Sequence, residues 1–323
     1  MKKPPREILI LIGTLVLFLI TNAIFRDGPL NFIPTLVAIA IVVEIIAFVG
    51  IEVKQGAQEH GWKHEIVDTI MYGASFILNT SSPVSAVVSC SMLPNLWRGD
   101  FVIVQGAPVN AYQITLSESE LRSLTNSPTT MFYGNASVTI NGSIFPYCLR
   151  YSTSAVCEVF ASDPDNLIEQ KGVFTYKYTK CPITLSNGSK GYQPCLKSVV
   201  FKGTEYTTNF SNDVIVYQPP AGDLYSQVGD IVHRAFFVIT VNNESNSGVQ
   251  NKFYLTRGDN NPILDLQVSD PFAGKGNSPI PQDRARGKVI LRVPYLGYFK
   301  LFLSGYLKED SQCKTQLEFP VVR

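Results

Sequence analysis

The stretch DIVHRAFFVITV at residues 230–241 indicates the class of fold, because it is a long apolar run rich in β-branched and aromatic side chains. Shorter runs of the same kind follow residue 84, bounded by Gly, Pro, Asn and Asp, without a sustained 3.6-residue period. They are VSAVVS (84–89), DFVIVQ (100–105), DVIVYQ (213–218) and NKFYLTR (251–257). In SVTINGSIF (137–145), an Asn-Gly pair between two runs predicts a β-hairpin. These patterns predict a mainly β domain.

The N-terminal quarter has a different composition. Of the 323 residues, 16% are charged, against roughly 25% in a soluble domain, and the deficit lies mainly before residue 84. Residues 8–25 contain no charge, residues 32–51 contain one, and a weaker apolar segment covers roughly 62–80. The first two segments are long enough for a hydrocarbon core of about 30 Å. We therefore expect residues 1–82 to form a membrane anchor with two to three transmembrane helices.

A cleaved signal peptide is the alternative for the first segment, but no small-x-small cleavage site follows Ile20 and a second apolar run comes almost at once. Lys2, Lys3 and Arg6 precede the first segment and place the N-terminus in the cytoplasm. Three spans would then put everything after about residue 82 outside. The glycosylation triplets agree with this side: Asn135, Asn141, Asn187, Asn209 and Asn243 begin such triplets in the predicted exterior part, and Asn79 begins one at its border.

The six cysteines divide into two groups. Cys148, Cys157, Cys181 and Cys195 lie close together in the predicted exterior part, so we expect two disulfides, with three pairings open. Cys90 and Cys313 stand apart and are expected to be free thiols. No CxxC spacing suggests zinc, and we expect neither a metal site nor a cofactor.

The predicted exterior part divides into three pieces. A β-rich catalytic core covers 83–105 and 213–294, and residues 106–212 look like a separate β-rich subdomain inserted into it, disulfide-linked and glycosylated. Residues 295–307 are apolar and aromatic and either span the membrane or lie at its interface. The polar tail, 308–323, is expected to be flexible.

The inventory of charged and titratable residues narrows the function. With 27 basic and 26 acidic residues the net charge is +1, which gives no indication of a nucleic-acid partner. Of the 3 histidines, His60 and His64 fall in the predicted cytoplasmic loop, so His233 is the only one in the predicted exterior part. By itself, a histidine within a strand is more often a satisfied core residue than a functional group.

Five motifs in a fixed order change that interpretation. They are Ser89-Cys90-Ser91-Met92-Leu93-Pro94 with Arg98-Gly99-Asp100, then Gly229-Asp230-Ile231-Val232-His233-Arg234, then Thr256-Arg257-Gly258-Asp259-Asn260-Asn261 with Asp265, then Gly287-Lys288-Val289, and finally Val293-Pro294-Tyr295-Leu296-Gly297-Tyr298. Together they resemble the signal peptidase I family, and a histidine in the second motif resembles its archaeal and endoplasmic-reticulum type. Three positions depart from the family pattern: Cys90 replaces a Gly, Leu93 replaces the usual Glu, and Arg257 replaces the usual Lys.

The resemblance implies a serine nucleophile at Ser91 with His233 as its general base. The chemistry agrees, since a serine hydroxyl is a poor nucleophile at neutral pH until a base within hydrogen-bond reach takes its proton. Asp259 is expected to orient the imidazole, with Asp265 as its rival or as a support. The backbone N–H of Ser91 and the hydroxyl of Ser89 are candidates for stabilising an oxyanion.

The resemblance therefore implies a multi-pass enzyme of an archaeal cell membrane with its catalytic domain on the extracytoplasmic side. Its activity would be endopeptidase removal of signal peptides from exported preproteins, beside the bilayer and the translocation machinery. Two alternatives remain open. One is a catalytically inactive cell-surface binding or adhesion protein on the same core, and the other is a serine-lysine protease that uses a lysine such as Lys252.

Overall fold

The computed structural model describes residues 71–242, 251–270, 272–303, 305 and 311–319. The two predicted spans at 8–25 and 32–51, most of the third segment and the triplet at Asn243 lie outside the described residues. Residues 71–78 are helical. None of the helices within these described ranges combines the length and the apolar character that a bilayer crossing requires.

The described chain is mainly β, which confirms that part of the sequence prediction. The strands are β1 (Val84–Ala86), β2 (Phe101–Gln105), β3 (Tyr112–Ser117), β4 (Thr129–Tyr133), β5 (Ala136–Ile140), β6 (Leu167–Lys171), β7 (Phe174–Leu185), β8 (Lys190–Phe201), β9 (Thr204–Thr207), β10 (Val214–Tyr217), β11 (Ile231–Asn242), β12 (Asn251–Arg257), β13 (Ser269–Asp270), β14 (Lys275–Gly276), β15 (Ile280–Pro281), β16 (Ala285–Val293) and β17 (Thr315–Leu317). The α-helices are α1 (Glu118–Asn126), α2 (Ile144–Arg150), α3 (Ala155–Ser162) and α4 (Gly297–Leu303). Short 3-10 helices cover Pro164–Asn166, Leu224–Gln227, Asp265–Gln267, Gln282–Arg284 and Ser311–Lys314.

The first sheet has the strand order β1-β2-β16-β10-β11-β12-β15, and β3 also pairs with β11. The long strand β11 organises it. One edge of β11 pairs with β10 near His233 and, further along, with β3 in parallel, while β12 pairs antiparallel with the other edge. The predicted insertion at 106–212 therefore begins with a strand of this first sheet.

The second sheet has the order β5-β4-β6-β7-β8-β9, and β17 pairs with β7. It contains a hairpin between β4 and β5, where Tyr133 pairs with Ala136 across Gly134, which has a φ of +55°. The hairpin predicted at Asn141-Gly142 is therefore wrong. After β5 the chain enters helix α2, whose first N–H, at Ile144, donates to the buried carboxylate of Glu169 at 3.1 Å.

The two sheets share one hydrophobic core. Phe174 of the second sheet stacks on Phe237 of the first, with ring centroids 5.6 Å apart and an interplanar angle of 12°. Helix α1 joins the sheets and begins with a capping box, in which the Ser117 hydroxyl accepts from the Glu120 N–H and the Glu120 carboxylate accepts from the Ser117 N–H. Burial of side chains from both sheets in one cluster fixes the second sheet against the first.

The disulfides settle the open pairing and correct one prediction. Cys148 pairs with Cys157 and Cys181 pairs with Cys195, as two disulfides within the predicted group. The prediction of free thiols at Cys90 and Cys313 is wrong, because these two residues form a third disulfide. The expectation of a flexible tail is also wrong for residues 311–319, which include that disulfide and strand β17. Spacing along the chain did not reveal this contact, because the two cysteines are 223 residues apart.

The predicted glycosylation triplets lie mostly at the surface. Asn79, Asn135, Asn141 and Asn187 are exposed, and Asn209 is half-buried. Exposure makes Asn135, Asn141 and Asn187 accessible for modification, whereas the Nδ2 atom of Asn79, to which a glycan would be attached, donates to Gly106 O at 2.9 Å.

Glu169 is a carboxyl group buried inside the core shared by the two sheets. Its Oε2 accepts hydrogen bonds from Tyr178 Oη at 2.6 Å and from the Ile144 N–H, whereas its Oε1 is buried without a partner. Desolvation raises the pKa of Glu169 above its usual range. Gln267 donates to the same Tyr178 hydroxyl at 2.7 Å, so the network extends to the 3-10 helix Asp265–Gln267.

We predict that Glu169→Gln gains stability relative to the unmodified chain as the pH rises. Because the folded-state pKa is raised, the folded chain binds the proton more tightly, and the free energy of unfolding falls as the pH rises from the ordinary carboxyl value through the raised one. Thermal unfolding between pH 2 and pH 8 measures the difference and also covers the acidic range in which the control titrates. Glu205→Gln is the control with the opposite sign, because a hydrogen bond from Ser198 lowers the pKa of Glu205. A Glu169→Gln difference that does not vary with pH would contradict the prediction.

Candidate active site

The predicted nucleophile lies in the loop between β1 and β2, residues 87–100, which we call the nucleophile loop. Its ends are joined by backbone hydrogen bonds from Val87 N to Asp100 O and from Gly99 N to Val87 O, both at 2.9 Å. The buried Asp100 carboxylate accepts from the Trp97 N–H and forms an ion pair with Arg292 of β16, both at 2.6 Å. The loop is therefore held at its base on the first sheet.

Ser91, His233 and Asp265 form a continuous chain of hydrogen-bonding groups. Nε2 of His233 lies 2.9 Å from Oγ of Ser91, and Nδ1 of His233 lies 2.6 Å from Oδ2 of Asp265. All three residues are buried, with 6%, 4% and 4% of their surface exposed, respectively. The sequence prediction named all three residues, and the fold brings them together.

The chemistry of the three groups assigns the direction of these hydrogen bonds. A carboxylate only accepts, so the proton between His233 and Asp265 is donated by Nδ1 of the imidazole. The neutral ring then has its lone pair at Nε2, facing the Ser91 hydroxyl. This tautomer can take the Ser91 proton, and the carboxylate stabilises the imidazolium that results.

Two hydroxyl groups besides the imidazole converge on the Asp265 carboxylate. Thr256 Oγ1 donates to Oδ2 at 2.6 Å, and Tyr217 Oη donates to the same atom at 3.1 Å. Burial, together with the charge of Asp265, raises the pKa of Tyr217 well above its usual range, so the phenol stays protonated and remains a donor. Neither Tyr217 nor Thr256 was among the predicted site residues.

Asp259 is placed differently from what the sequence suggested. Its carboxylate accepts two hydrogen bonds from Arg234, at 2.8 and 2.7 Å, and a third from Asn95 Nδ2 at 2.7 Å. Asp265 therefore takes the orienting position at His233 that we had assigned first to Asp259. Asp259 instead links Arg234, the residue after His233, to Asn95 in the nucleophile loop.

The turn after β12 lies directly against the nucleophile. Asn260 N donates to Ser91 O at 2.7 Å, and Asn260 Nδ2 donates to Cys90 O at 3.1 Å. A Cβ atom at position 258 would lie 2.6 Å from Ser91 O, which explains why this approach requires glycine. The RGDNN sequence thus forms a turn that supports the backbone of Ser91.

Ser89, whose hydroxyl was predicted as a candidate oxyanion donor, lies beside Ser91. Its hydroxyl oxygen lies 3.1 Å from Ser91 Oγ, and either hydroxyl can donate. A hydroxyl beside the nucleophile can turn toward negative charge that develops on a bound carbonyl oxygen.

The site residues that were not predicted differ in how visible they are in the sequence. Arg234 follows His233 directly, and Thr256 and Asn260 lie inside a quoted motif, so proximity to a motif could have identified them. Asn95 directly follows Pro94 of the first motif and has the same signal, whereas Tyr217 has none, because only the folded chain brings it to the site. Within the described ranges, no group of three or more His, Cys, Asp or Glu side chains is arranged to hold a metal ion.

Comparison of the chain with protein-family models, with curated proteins and with solved structures finds no match in any of the three.

We predict that Asp259→Asn lowers the free energy of unfolding by about 2 kcal/mol, because the largely buried Arg234 loses its carboxylate partner. Chemical denaturation of the two proteins measures the difference. Asp230→Asn is the matched control, since its ion pair with Arg286 is more exposed and longer, at 3.5 Å, and should change stability by less than about 1 kcal/mol. Equal effects of the two substitutions would show that Asp259 does not act as the link described here.

Proposed function

We propose that the protein is a membrane-associated serine endopeptidase of the signal peptidase type, with Ser91 as nucleophile, His233 as general base and Asp265 as the orienting acid. The observation that carries the proposal is the pair of distances on the imidazole, 2.9 Å to Ser91 Oγ and 2.6 Å to Asp265 Oδ2. The three residues come from distant parts of the chain, since Ser91 and His233 are 142 positions apart.

In the first step His233 Nε2 takes the hydroxyl proton of Ser91 while Oγ attacks the carbonyl carbon of the scissile peptide. The tetrahedral intermediate carries its negative charge on the former carbonyl oxygen, toward which the Ser89 hydroxyl can donate. The imidazolium then protonates the departing amine, the carbon–nitrogen bond breaks, and an ester on Ser91 remains.

In the second step a water molecule attacks that ester. His233 takes a proton from the water and returns one to Ser91 Oγ as the ester bond breaks, which releases the carboxylate product. Throughout both steps Asp265 stays a carboxylate that accepts from Nδ1 and stabilises the positive charge of the imidazolium.

The substrate class rests on the five motifs, which place serine, histidine and aspartate in the order of the signal peptidase I family. The position of Ser91 along the chain supports it as well, because Ser91 follows closely on the third apolar segment predicted at 62–80. An apolar stretch that stays in the bilayer would present its cleavage site at the same height.

A set of exposed apolar side chains near the nucleophile loop supports the membrane part of the proposal. Helix α4 and the turn before it expose aromatic residues, and ring atoms of Tyr298 lie against Gly99 of the loop. The exposed members are Val88, Trp97, Tyr295, Tyr298, Phe299 and Phe302. We propose that this surface, which we call the aromatic face, contacts the bilayer interface, where aromatic side chains are favoured.

Two other functions are weaker. An inactive binding protein has no need of a buried triad with its supporting donors in place. A serine-lysine protease would need a lysine at Ser91, whereas the hydrogen-bonding position opposite Ser91 Oγ is taken by His233.

We predict that Ser91→Ala and His233→Ala each lower cleavage of a preprotein by about 10⁴-fold or more, and that Asp265→Asn lowers it by roughly 10³- to 10⁴-fold. The assay uses the full chain in lipid nanodiscs and a preprotein with a small-x-small cleavage site. Asp163→Asn, an exposed carboxylate near the second sheet, is the control and should retain full activity. Cleavage that survives loss of Ser91 or His233 would remove the mechanism, and no cleavage by the unmodified chain would favour the binding protein.

We predict that a polarity-sensitive dye attached at Phe299→Cys reports an apolar environment when the full chain is reconstituted in vesicles. The same dye at Tyr192→Cys, an exposed aromatic position on β8, should report water. Quenchers placed in the lipid bilayer should reduce the first signal and leave the second unchanged. Equal behaviour of the two labels would contradict contact between the aromatic face and the bilayer.

A further inference from the structure

A segment near residue 313 is covalently bonded to the residue that precedes Ser91. Cys313 forms a disulfide with Cys90, and Cys90 directly precedes Ser91. Cys90 stands where the signal peptidase I pattern has glycine, so the departure from the pattern coincides with a covalent bond. The disulfide joins the nucleophile loop to residues 311–319, which we call the C-terminal clamp.

Asn260 makes a second connection between the same two segments. Its Nδ2 donates to Cys90 O at 3.1 Å and to Thr315 O at 2.8 Å, and its Oδ1 accepts from Leu317 N at 2.7 Å. Its backbone N–H donates to Ser91 O at 2.7 Å. One residue thus holds the carbonyl groups of both Cys90 and Ser91 while its amide binds the clamp.

The clamp is itself fixed to the second sheet. Strand β17 pairs with the end of β7, and Glu318 N donates to Pro182 O at 2.9 Å. Leu317 is buried against the disulfide of Cys181 and Cys195. Phe319 lies under the guanidinium of Arg257, with 4.0 Å between Cζ and the ring centroid. Strand pairing, a buried leucine and a cation–π contact therefore fix the clamp to the rest of the chain.

We propose that the C-terminal clamp is a positioning element of the active site, in which Cys313 and Asn260 hold the backbone of Ser91 so that its Oγ meets His233. The proposal rests on the proposed function in one respect, because its kcat measurement requires peptidase activity. Its physical basis is the sensitivity of catalysis to geometry, since a displacement of about 1 Å at the reacting atoms can lower the rate about 10²-fold. Neither residue touches the substrate in this role.

A disulfide that only stabilises the fold would produce a different pattern. Closing a loop of this length stabilises a protein whether or not a catalytic group lies nearby. Loss of a positioning element instead lowers kcat at temperatures at which the variant is fully folded, and leaves KM nearly unchanged. The kcat and KM values must therefore be compared well below the unfolding temperature of each variant.

The experiment compares two double substitutions in the full chain in nanodiscs. Cys90→Ser with Cys313→Ser is expected to lower kcat by about 10- to 100-fold with little change in KM. Cys148→Ser with Cys157→Ser removes a disulfide that joins helices α2 and α3, and it should leave kcat within about 2-fold of the unmodified chain. Asn260→Ala, which keeps the Cys90–Cys313 disulfide, should lower kcat in the same range and serves if the first variant fails to fold.

Hydrogen exchange provides a measurement that does not depend on peptidase activity. Amides of residues 89–96 and 258–261 should exchange faster in the Cys90→Ser, Cys313→Ser protein and in Asn260→Ala, with little change in strands β6 and β8. Unaltered kcat and unaltered exchange near Ser91 in both variants would overturn the clamp. If the unmodified chain cleaves no preprotein, the proposed function fails, and the exchange data alone decide whether the clamp holds the loop.

Discussion

The candidate active site depends on one oxygen atom, Oδ2 of Asp265, which is buried and receives three donors. Moving a carboxylate out of water is unfavourable by several kcal/mol unless hydrogen bonds replace its hydration. Here the donors come from three adjacent strands: Tyr217 from β10, His233 from β11 and Thr256 from β12. The sheet register explains this convergence. Tyr217 pairs with Ile231 and Thr256 pairs with Ala235, the residues two positions before and after His233, and residues two apart in a strand share a face.

The two aspartates of the third motif bind different partners. Asp265 begins the 3-10 helix Asp265–Gln267 and contacts the imidazole of His233, while Asp259 lies in the turn after β12 and contacts Arg234 and Asn95. Since Arg234 follows His233, neighbouring residues of β11 point to opposite faces and engage different aspartates. One strand therefore connects His233 to Asp265 and Ser91 on one face, and connects Arg234 through Asp259 to Asn95 on the other.

Local patterns in the sequence predicted the parts of this fold that local physics determines. The apolar runs became strands, and NKFYLTR forms β12 over the same residues, because β-branched and aromatic side chains favour a half-buried pleated surface. The motif order predicted Ser91, His233 and Asp265.

Contacts between distant segments could not be predicted from local patterns. Asn141-Gly142 ends a strand without turning back, because Glu169, buried in the core, binds the start of helix α2. The choice between Asp259 and Asp265 required the register, and the bond of Cys90 to Cys313 required the whole fold.

The disulfide between Cys90 and Cys313 also has a consequence in time. The two residues are 223 positions apart, so a nascent chain carries Ser91 and then His233 long before it carries the partner of Cys90. The bond requires an oxidising compartment. If the clamp fixes Ser91 and the proposed function holds, a newly made molecule gains full hydrolytic competence only after Cys313 has entered that compartment. The proposed peptidase would then reach its full rate only in the oxidising compartment, and no propeptide would have to be removed.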